Sequence, residues 1–274
     1  MLNKIVAERR PAVELSKRQM PLKELERDIS PGHFIFSKAI AELGWLLIAE
    51  CKLASPAKGR LCQTHSVPEL AQIYSTNGAA ALSVHTSPHF CGALGDIEKV
   101  RAVSRLPILR KDFIIDEYQL YEARRAGADA VLLIAAILED EELVRFQKVA
   151  YQLGLDCLLE VHDAEELRRV QETPAQIIGI NNRNLKTFVT DMENTFSLLQ
   201  YADKDRIFIS ESGISTGQDA FRLKKAGLRG VLVGESLVKA GDIAARTREL
   251  ANPGVVRESY GNFNSTIGGT YYAR

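Results

Sequence analysis

Residues Trp45 to Pro56 read WLLIAECKLASP, an apolar run that breaks abruptly into Glu50, Lys52 and Ser55. Side chains alternate faces along a strand, so Ile48, Glu50 and Lys52 share one face while Leu47, Ala49 and Cys51 share the other. An apolar face turned to covering helices, and a second face ending in opposite charges, fit the first strand of a parallel barrel, whose chemistry sits at the strands' carboxyl ends. The competing reading is an edge strand with a solvated ion pair, which contributes only about 0–1 kcal/mol. The rest of the chain decides between them.

Seven further strand-like runs follow: AAALSV from Ala79, PILRKD from Pro107, AVLLIAA from Ala130, DCLLEV from Asp156, IIGINN from Ile177, RIFISES from Arg206 and GVLVGE from Gly230. Their starts fall roughly 20 to 35 residues apart, enough for a loop, a helix and a return, as parallel βα units require. Helix starts are marked by Ser66 with Glu69 and by Asp163 with Glu166, each an N-cap followed three residues later by an acid. Helix ends are marked by Gly78, Gly127, Gly154 and Gly227, each suited to the left-handed C′ position and each followed by an apolar strand. Eight near-continuous apolar strands covered by helices close into a (β/α)8 barrel, the TIM-barrel class of α/β folds. A doubly wound open sheet is the alternative, but no G-x-G-x-x-G follows the first strand.

Residues 1–44 precede the repeat as an N-terminal helical extension, patterned by Leu2, Ile5, Val6 and Val13, interrupted near Pro11, with a second short helix over Phe36 to Leu43. The barrel spans 45–250, and the tail 251–274 loses helical periodicity and gains Gly, Asn and Ser, so it leaves the barrel. The whole reads as one domain. Its 274 residues, 46% of them hydrophobic, suffice for one large core. Lys plus Arg equals Asp plus Glu at 35 each, so no basic excess suggests nucleic acid and a small-molecule partner is favoured. The opening residues lack the apolar core of a signal peptide, and no run approaches the ~18 apolar residues of a membrane span, which predicts a cytoplasmic protein without a membrane partner. The sequon Asn264-Ser265-Thr266 carries no meaning in that compartment.

Four cysteines, Cys51, Cys62, Cys91 and Cys157, show neither a C-x-x-C pair nor a metal-like spacing and read as free thiols. His85 and His89 have the i, i+4 spacing of metal ligands on a helix, but Pro88 and the turn-like TSPHFCG make this a loop, and no metal is expected.

Polar residues gather where each strand should end: Lys111, Glu160, Asn181 with Arg183, Glu211 with Ser212, and Gly234 with Glu235. One such residue is ordinary, because loops are polar. Lys52, Lys111, Glu50, Glu160 and Glu211 brought to one rim are not, since their desolvation is costly unless they pair or serve a ligand. The seventh and eighth strands run into Glu211-Ser212-Gly213 and Gly234-Glu235-Ser236, where barrels build phosphate cradles from backbone N–H groups. Gly213 and Gly234 would let the backbone approach an oxygen, and Lys52 and Ser55 would complete the cradle from the adjacent first strand; simple tight turns are the alternative. Gly213 to Gly217 also matches the hydrolase G-x-S-x-G, but no histidine follows His162, and that motif needs one after its serine.

The motifs AECKLASP, LRKDFI, LLEVH, IGINNRNL, SESGI and VGES together resemble those of the indole-3-glycerol-phosphate synthase family, over nearly the whole chain to about residue 250. The resemblance implies a (β/α)8 barrel of tryptophan biosynthesis. It would convert 1-(2-carboxyphenylamino)-1-deoxyribulose 5-phosphate to indole-3-glycerol phosphate, carbon dioxide and water, with no metal or cofactor. By the same resemblance Lys111 is the general acid at the substrate carbonyl and Glu160 the base of the later dehydration. Lys52 holds the substrate's carboxylate or phosphate side and shares proton duties, so either lysine remains open as donor at a given step. Glu50 and Glu211 resemble the acids that orient the lysines, Asn181 and Arg183 those that contact the anthranilate portion, and Ser55, Gly213, Gly234 and Glu235 those that receive the phosphate, with Ser212 binding substrate beside them.

Two stretches depart from the family pattern: SPA at Ser55 to Ala57 replaces the commoner SPS, and HFCGAL at His89 to Leu94 replaces an F-x-G-S-like loop. Neither removes a catalytic residue. Two rivals remain. Phosphoribosylanthranilate isomerase also uses a cysteine near its first strand, but alternation turns Cys51 toward the helices. A barrel that only binds a phosphorylated metabolite or a partner protein would have no need of both Lys111 and Glu160.

Overall fold

The computed structural model describes residues 2–254 apart from positions 28, 56, 57, 186 and 188. Three helices come first: α1 (Leu2–Gln19), α2 (Leu22–Arg27) and α3 (Ile35–Glu42). Strand β1 (Leu46–Cys51) leads into a small antiparallel ribbon, β2 (Ala54–Ser55) with β3 (Gly59–Arg60), and then α4 (Val67–Thr76). Strands and helices then alternate through β4 (Ala81–His85), α5 (Gly95–Val103), β5 (Ile108–Lys111), α6 (Tyr118–Arg125), β6 (Ala130–Ile134), α7 (Asp140–Gln152), β7 (Asp156–Val161) and α8 (Ala164–Gln171). The chain continues through β8 (Ile177–Asn181), α9 (Glu193–Leu199), β9 (Ile207–Glu211), α10 (Gly217–Lys225), β10 (Gly230–Val233), α11 (Glu235–Val238) and α12 (Ile243–Ala251). The eight expected runs all form parallel strands of one closed barrel, in the order β1-β4-β5-β6-β7-β8-β9-β10, with β10 returning to β1.

Alternation along the strands divides the core in two. Leu46 and Ile48 point inward with Leu109, Leu132, Leu158, Ile209 and Leu232, while Leu47, Ala49 and Cys51 pack outward against the helices with Leu70, Leu82 and Val84. Each aliphatic side chain so buried contributes about 1.5–3 kcal/mol. Phe36 and Ile40 of α3 join the inner set with no accessible surface, and Asp156 at the start of β7 accepts the Ser37 N–H at 2.9 Å, so α3 plugs the amino-terminal end of the barrel. Only the opposite end is left for a pocket. Gly78, Gly127, Gly154 and Gly227 have φ of +96°, +94°, +67° and +97°, the left-handed helix ends that let each βα unit turn back.

The extension departs from expectation. Helix α1 runs unbroken through Pro11, which is exposed. An interior proline costs about 3 kcal/mol, but Ile5 and Val13 are buried on either side of it and hold the helix to the barrel. Helix α1 also does not stay apart from the repeat. Arg9 pairs with the buried Asp112 at 2.6 Å, Lys17 with Asp116 at 2.6 Å, and Glu8 with His89 at 3.3 Å, so α1 is pinned to the loops after β4 and β5. Helix α2 and the β2–β3 ribbon are elements that the periodicity of the sequence does not mark. Residues 255–274, with the Asn264 sequon, lie outside the described residues, as does Ala57.

Candidate active site

The carboxyl ends of the strands surround a cavity of about 420 Å³. Alternation that turns Ile48 inward also turns Glu50 inward, at 3% exposure, and sends Cys51 to the helix side. Strand β5 delivers Lys111, β7 Glu160, β8 Asn181 and β9 Glu211, and all line the cavity with Lys52, Arg183, Ser212, Gly213, Gly234 and Glu235. The expected site residues therefore meet, with Ser55 as the exception. Its side chain lies outside the cavity wall, because its hydroxyl accepts the Lys58 N–H at 3.2 Å across the turn of the ribbon.

Lys111 is the centre of the floor. Its Nζ donates to Glu160 Oε2 at 2.7 Å and to Glu211 Oε2 at 2.7 Å. Burial opposes its charge, but Glu160, Glu211 and Glu50 outweigh burial and raise the ammonium above the usual lysine range. The two carboxylates are driven apart. Burial is the largest influence on Glu160, yet Lys111 and His162 overcome it and hold the carboxylate well below its usual range. Burial pushes Glu211 the other way; Lys111 opposes this and Glu160 adds to it, leaving Glu211 at about 7. One site thus holds an ionised carboxylate, a charged ammonium and a carboxyl near half-protonation at neutral pH.

Glu50 is gripped from both sides, by His85 Nε2 at 2.8 Å and by Lys52 Nζ at 3.3 Å. Against burial, Lys52 and His85 keep it ionised, whereas burial, resisted by Glu50, lowers His85. His85 stacks on Phe90 at 4.0 Å, and Lys52 lies over the same ring at 5.3 Å. His85 and His89 have separate carboxylate partners, Glu50 and Glu8. Among the described residues no group of His, Cys, Asp or Glu is arranged to hold a metal ion.

The two glycines expected in a phosphate cradle have structural reasons of their own. A Cβ at Gly234 would lie 2.0 Å from Glu50 Oε2, so the oxygen that the backbone approaches is a carboxylate of the site itself. Gly213 has φ +82° and follows Ser212 at φ +63°, a left-handed pair that only the glycine adopts without strain. The buried Asn182 secures this turn by donating from Nδ2 to the Ser212 carbonyl at 2.9 Å and to Ser210 Oγ at 3.0 Å. Glu235 does not offer its carboxylate to an anion: Lys58 at 2.6 Å and Lys239 at 2.7 Å hold it, with Arg183 at 3.8 Å. Burial favours its neutral form, but Lys239 and Lys58 keep it charged.

Closure of the barrel sets these groups on opposite sides. The β4–β6 side carries Phe90, Phe113, Leu132 and Ile134, with Leu2 and Ile5 of α1, whereas the β8–β10 side carries Arg183, Ser212, Ser215, Gly234 and Ser236, with Lys58 and Lys239. One half is aromatic and apolar, the other polar and cationic. Sequence reading missed Lys58, Lys239, Phe90 and Phe113 and weighed His85 only as a metal ligand; Phe113 stands two residues after Lys111 in the RKDF run, a signal that alternation could have used. Leu2 and Ile5 show in the sequence only the period of a helix, because the docking of α1 through Arg9–Asp112 and its other pairs is what brings them to the cavity.

Comparison with known proteins bears on what this cavity does. Residues 2–250 match the family model described as indole-3-glycerol phosphate synthase. The indole-3-glycerol phosphate synthase of Endomicrobium trichonymphae is 43% identical over 255 residues, covering 91% of this chain and 99% of that one. That of Desulforamulus reducens is 49% identical over 222 residues, covering 80% and 84%. Among solved structures, 3-hexulose-6-phosphate synthase from Salmonella typhimurium superimposes with a TM-score of 0.61 at 15% identity, covering 75% of this chain and 96% of that one, a likeness of fold alone. A match that runs through the extension and the whole barrel, together with 43% identity across 91% of the chain, means that this chain belongs to the indole-3-glycerol phosphate synthase family.

Proposed function

We propose that Lys111 and Glu160 are the acid and base with which this chain closes the indole ring of 1-(2-carboxyphenylamino)-1-deoxyribulose 5-phosphate. The chain is a carboxy-lyase of the indole-3-glycerol phosphate synthase family, and the observation that carries the assignment is Lys111 Nζ held 2.7 Å from both Glu160 and Glu211 on the cavity floor. The substrate's aromatic ring rests on Phe90, Phe113 and the α1 side chains. Its phosphate lies by Lys58, Arg183 and the backbone of Gly213 and Gly234, and Lys52 faces its carboxylate. Arg183, expected at the anthranilate portion, is assigned to the phosphate instead because it stands by Glu235 on the cationic side of the cavity.

The aromatic carbon bearing the carboxylate attacks the carbonyl carbon, and Lys111 protonates the oxygen as the C–O π bond breaks. Substrate entering between Lys111 and its carboxylates weakens their hold on the ammonium and lets it donate. The C–carboxylate bond then breaks, and its electron pair returns to the ring as carbon dioxide departs. The new hydroxyl takes a proton from Lys52, which solvent reprotonates, and leaves as water while Glu160 takes a proton from the methylene carbon beside the nitrogen. Once product departs, the short contact between Glu160 and Lys111 returns that proton to Lys111. Asn181 fixes the entry of the β8 loop, its Oδ1 accepting the Arg183 N–H at 3.0 Å.

The setting we propose is a single domain in the cytoplasm; no described helix is long and apolar enough to cross a membrane. Incubating the purified protein with the carboxyphenylamino substrate should produce indole fluorescence, and a folded sample that yields none sinks the proposal. An isomerase using the cysteine of its first strand is disfavoured, because Cys51 is buried on the helix side, and burial, with Glu50 and Asp96, raises its thiol far from the thiolate range.

A further inference from the structure

His162 follows the last residue of β7 and takes no part in the chemistry above. Its ring does not line the cavity, so whatever it does passes through another residue. Glu166, in the first turn of α8, accepts both the His162 main-chain N–H at 2.8 Å and ring Nδ1 at 3.0 Å on the same carboxylate oxygen. That helix start is itself fixed, since Asp163 Oδ1 accepts the Glu166 N–H at 2.9 Å. Two bonds from one oxygen set the ring's plane. Nε2 is thereby directed to Glu160 Oε1, 3.2 Å away, the oxygen that Lys111 leaves. It makes an ion pair there and has no aligned hydrogen bond among the described residues, although it is fully buried.

We propose that His162 is a positioning residue for Glu160: gripped by Glu166, it fixes the base beside Lys111 and supplies a second positive neighbour. The inference rests on Glu160 acting as the base. The charges alternate along one line, Glu166, His162, Glu160, Lys111, Glu211. The groups facing Glu160 are Lys111 from β5, Glu211 from β9 and His162 from just past its own strand; those facing His162 are Glu160 from β7 and Glu166 from α8. Burial opposes the charged ring, but the two glutamates prevail and hold it to about 10, so it is a cation throughout the neutral range. The cation in turn favours the ionised form of Glu160.

The test is the pH profile of kcat for the parent and His162→Gln, with histidine ring resonances followed across the same range. Loss of a cation beside Glu160 raises that carboxyl, so the acid limb of His162→Gln should move up by about one pH unit or more. A residue that only braced the loop would lower the rate equally at every pH and leave the limb in place, and that result overturns the proposal. In the parent, one of the five histidine rings should titrate near 10 and should vanish from the spectrum of His162→Gln. Should that ring instead titrate with the ordinary histidines, the proposal fails even where the variant does not fold. Activity in the parent and its loss in Glu160→Gln test the reaction separately: an inactive parent or an active Glu160→Gln overturns the base assignment and the inference with it, whereas an unmoved limb overturns only the role of His162.

Discussion

Replacing Lys111 by alanine tests chemistry and electrostatics together. The side chain is 12% exposed, and the carboxylates that share it, Glu160 and Glu211, are 4% and 1% exposed. Removing one partner of a buried ion pair costs roughly 3–5 kcal/mol, because the remaining charge stays out of water. His162 still compensates Glu160, so the loss concentrates on Glu211. For a chain of this size ~1 kcal/mol corresponds to about 2–4 °C, and the melting temperature should fall by roughly 6–20 °C at about pH 8. The fall should depend on pH. Burial has already raised Glu211, and without Lys111 to oppose it the folded value rises further above the unfolded one. Such a group binds its proton more readily in the folded state, so stability returns as pH falls through the folded value and is lost as pH rises through it. The deficit against the parent should therefore narrow between about pH 8 and about pH 5.5. Turnover should drop at least about a hundredfold at both, the usual worth of a positioned general acid. Thermal melts and steady-state rates at the two pH values check this. A mutant that melts with the parent at both and turns over at a near-normal rate refutes the reasoning.

Three further outcomes follow from the geometry. Cys51→Ala, on the helix side of β1, should cost on the order of 1 kcal/mol in denaturant unfolding with little change in turnover; a collapse of activity in a folded mutant would favour the isomerase reading. Gly234→Ala places a methyl against Glu50, so steady-state kinetics should show a lower kcat beside a higher KM, whereas a change in KM alone would return Gly234 to a purely phosphate-facing role. Arg9→Ala removes a charged bond to Asp112 worth about 1.5–3 kcal/mol, though Arg110 at 3.0 Å still compensates the acid. Loosening α1 withdraws Leu2 and Ile5 from the cavity, and KM should rise more than kcat falls; unchanged kinetics would show that α1 adds nothing to the site.

The sequence by itself determined which residues alternate inward and outward in WLLIAEC, where glycine ends each helix, and that Glu50, Lys111, Glu160, Asn181 and Glu211 stand at strand ends. Each depends on a period of two, a left-handed φ or an apolar run that breaks, all of which are local and so are written along the chain. Tertiary structure alone decided the partners. Lys111 meets Glu160 and Glu211 across 49 and 100 residues of chain, and only closure of the barrel brings them within 2.7 Å. Likewise the space beside Gly234 is taken by Glu50 because β10 pairs with β1, and α1 reaches the cavity because Arg9 finds Asp112. Periodicity assigns a side chain its face but not what it meets there, because contacts depend on how distant segments pack.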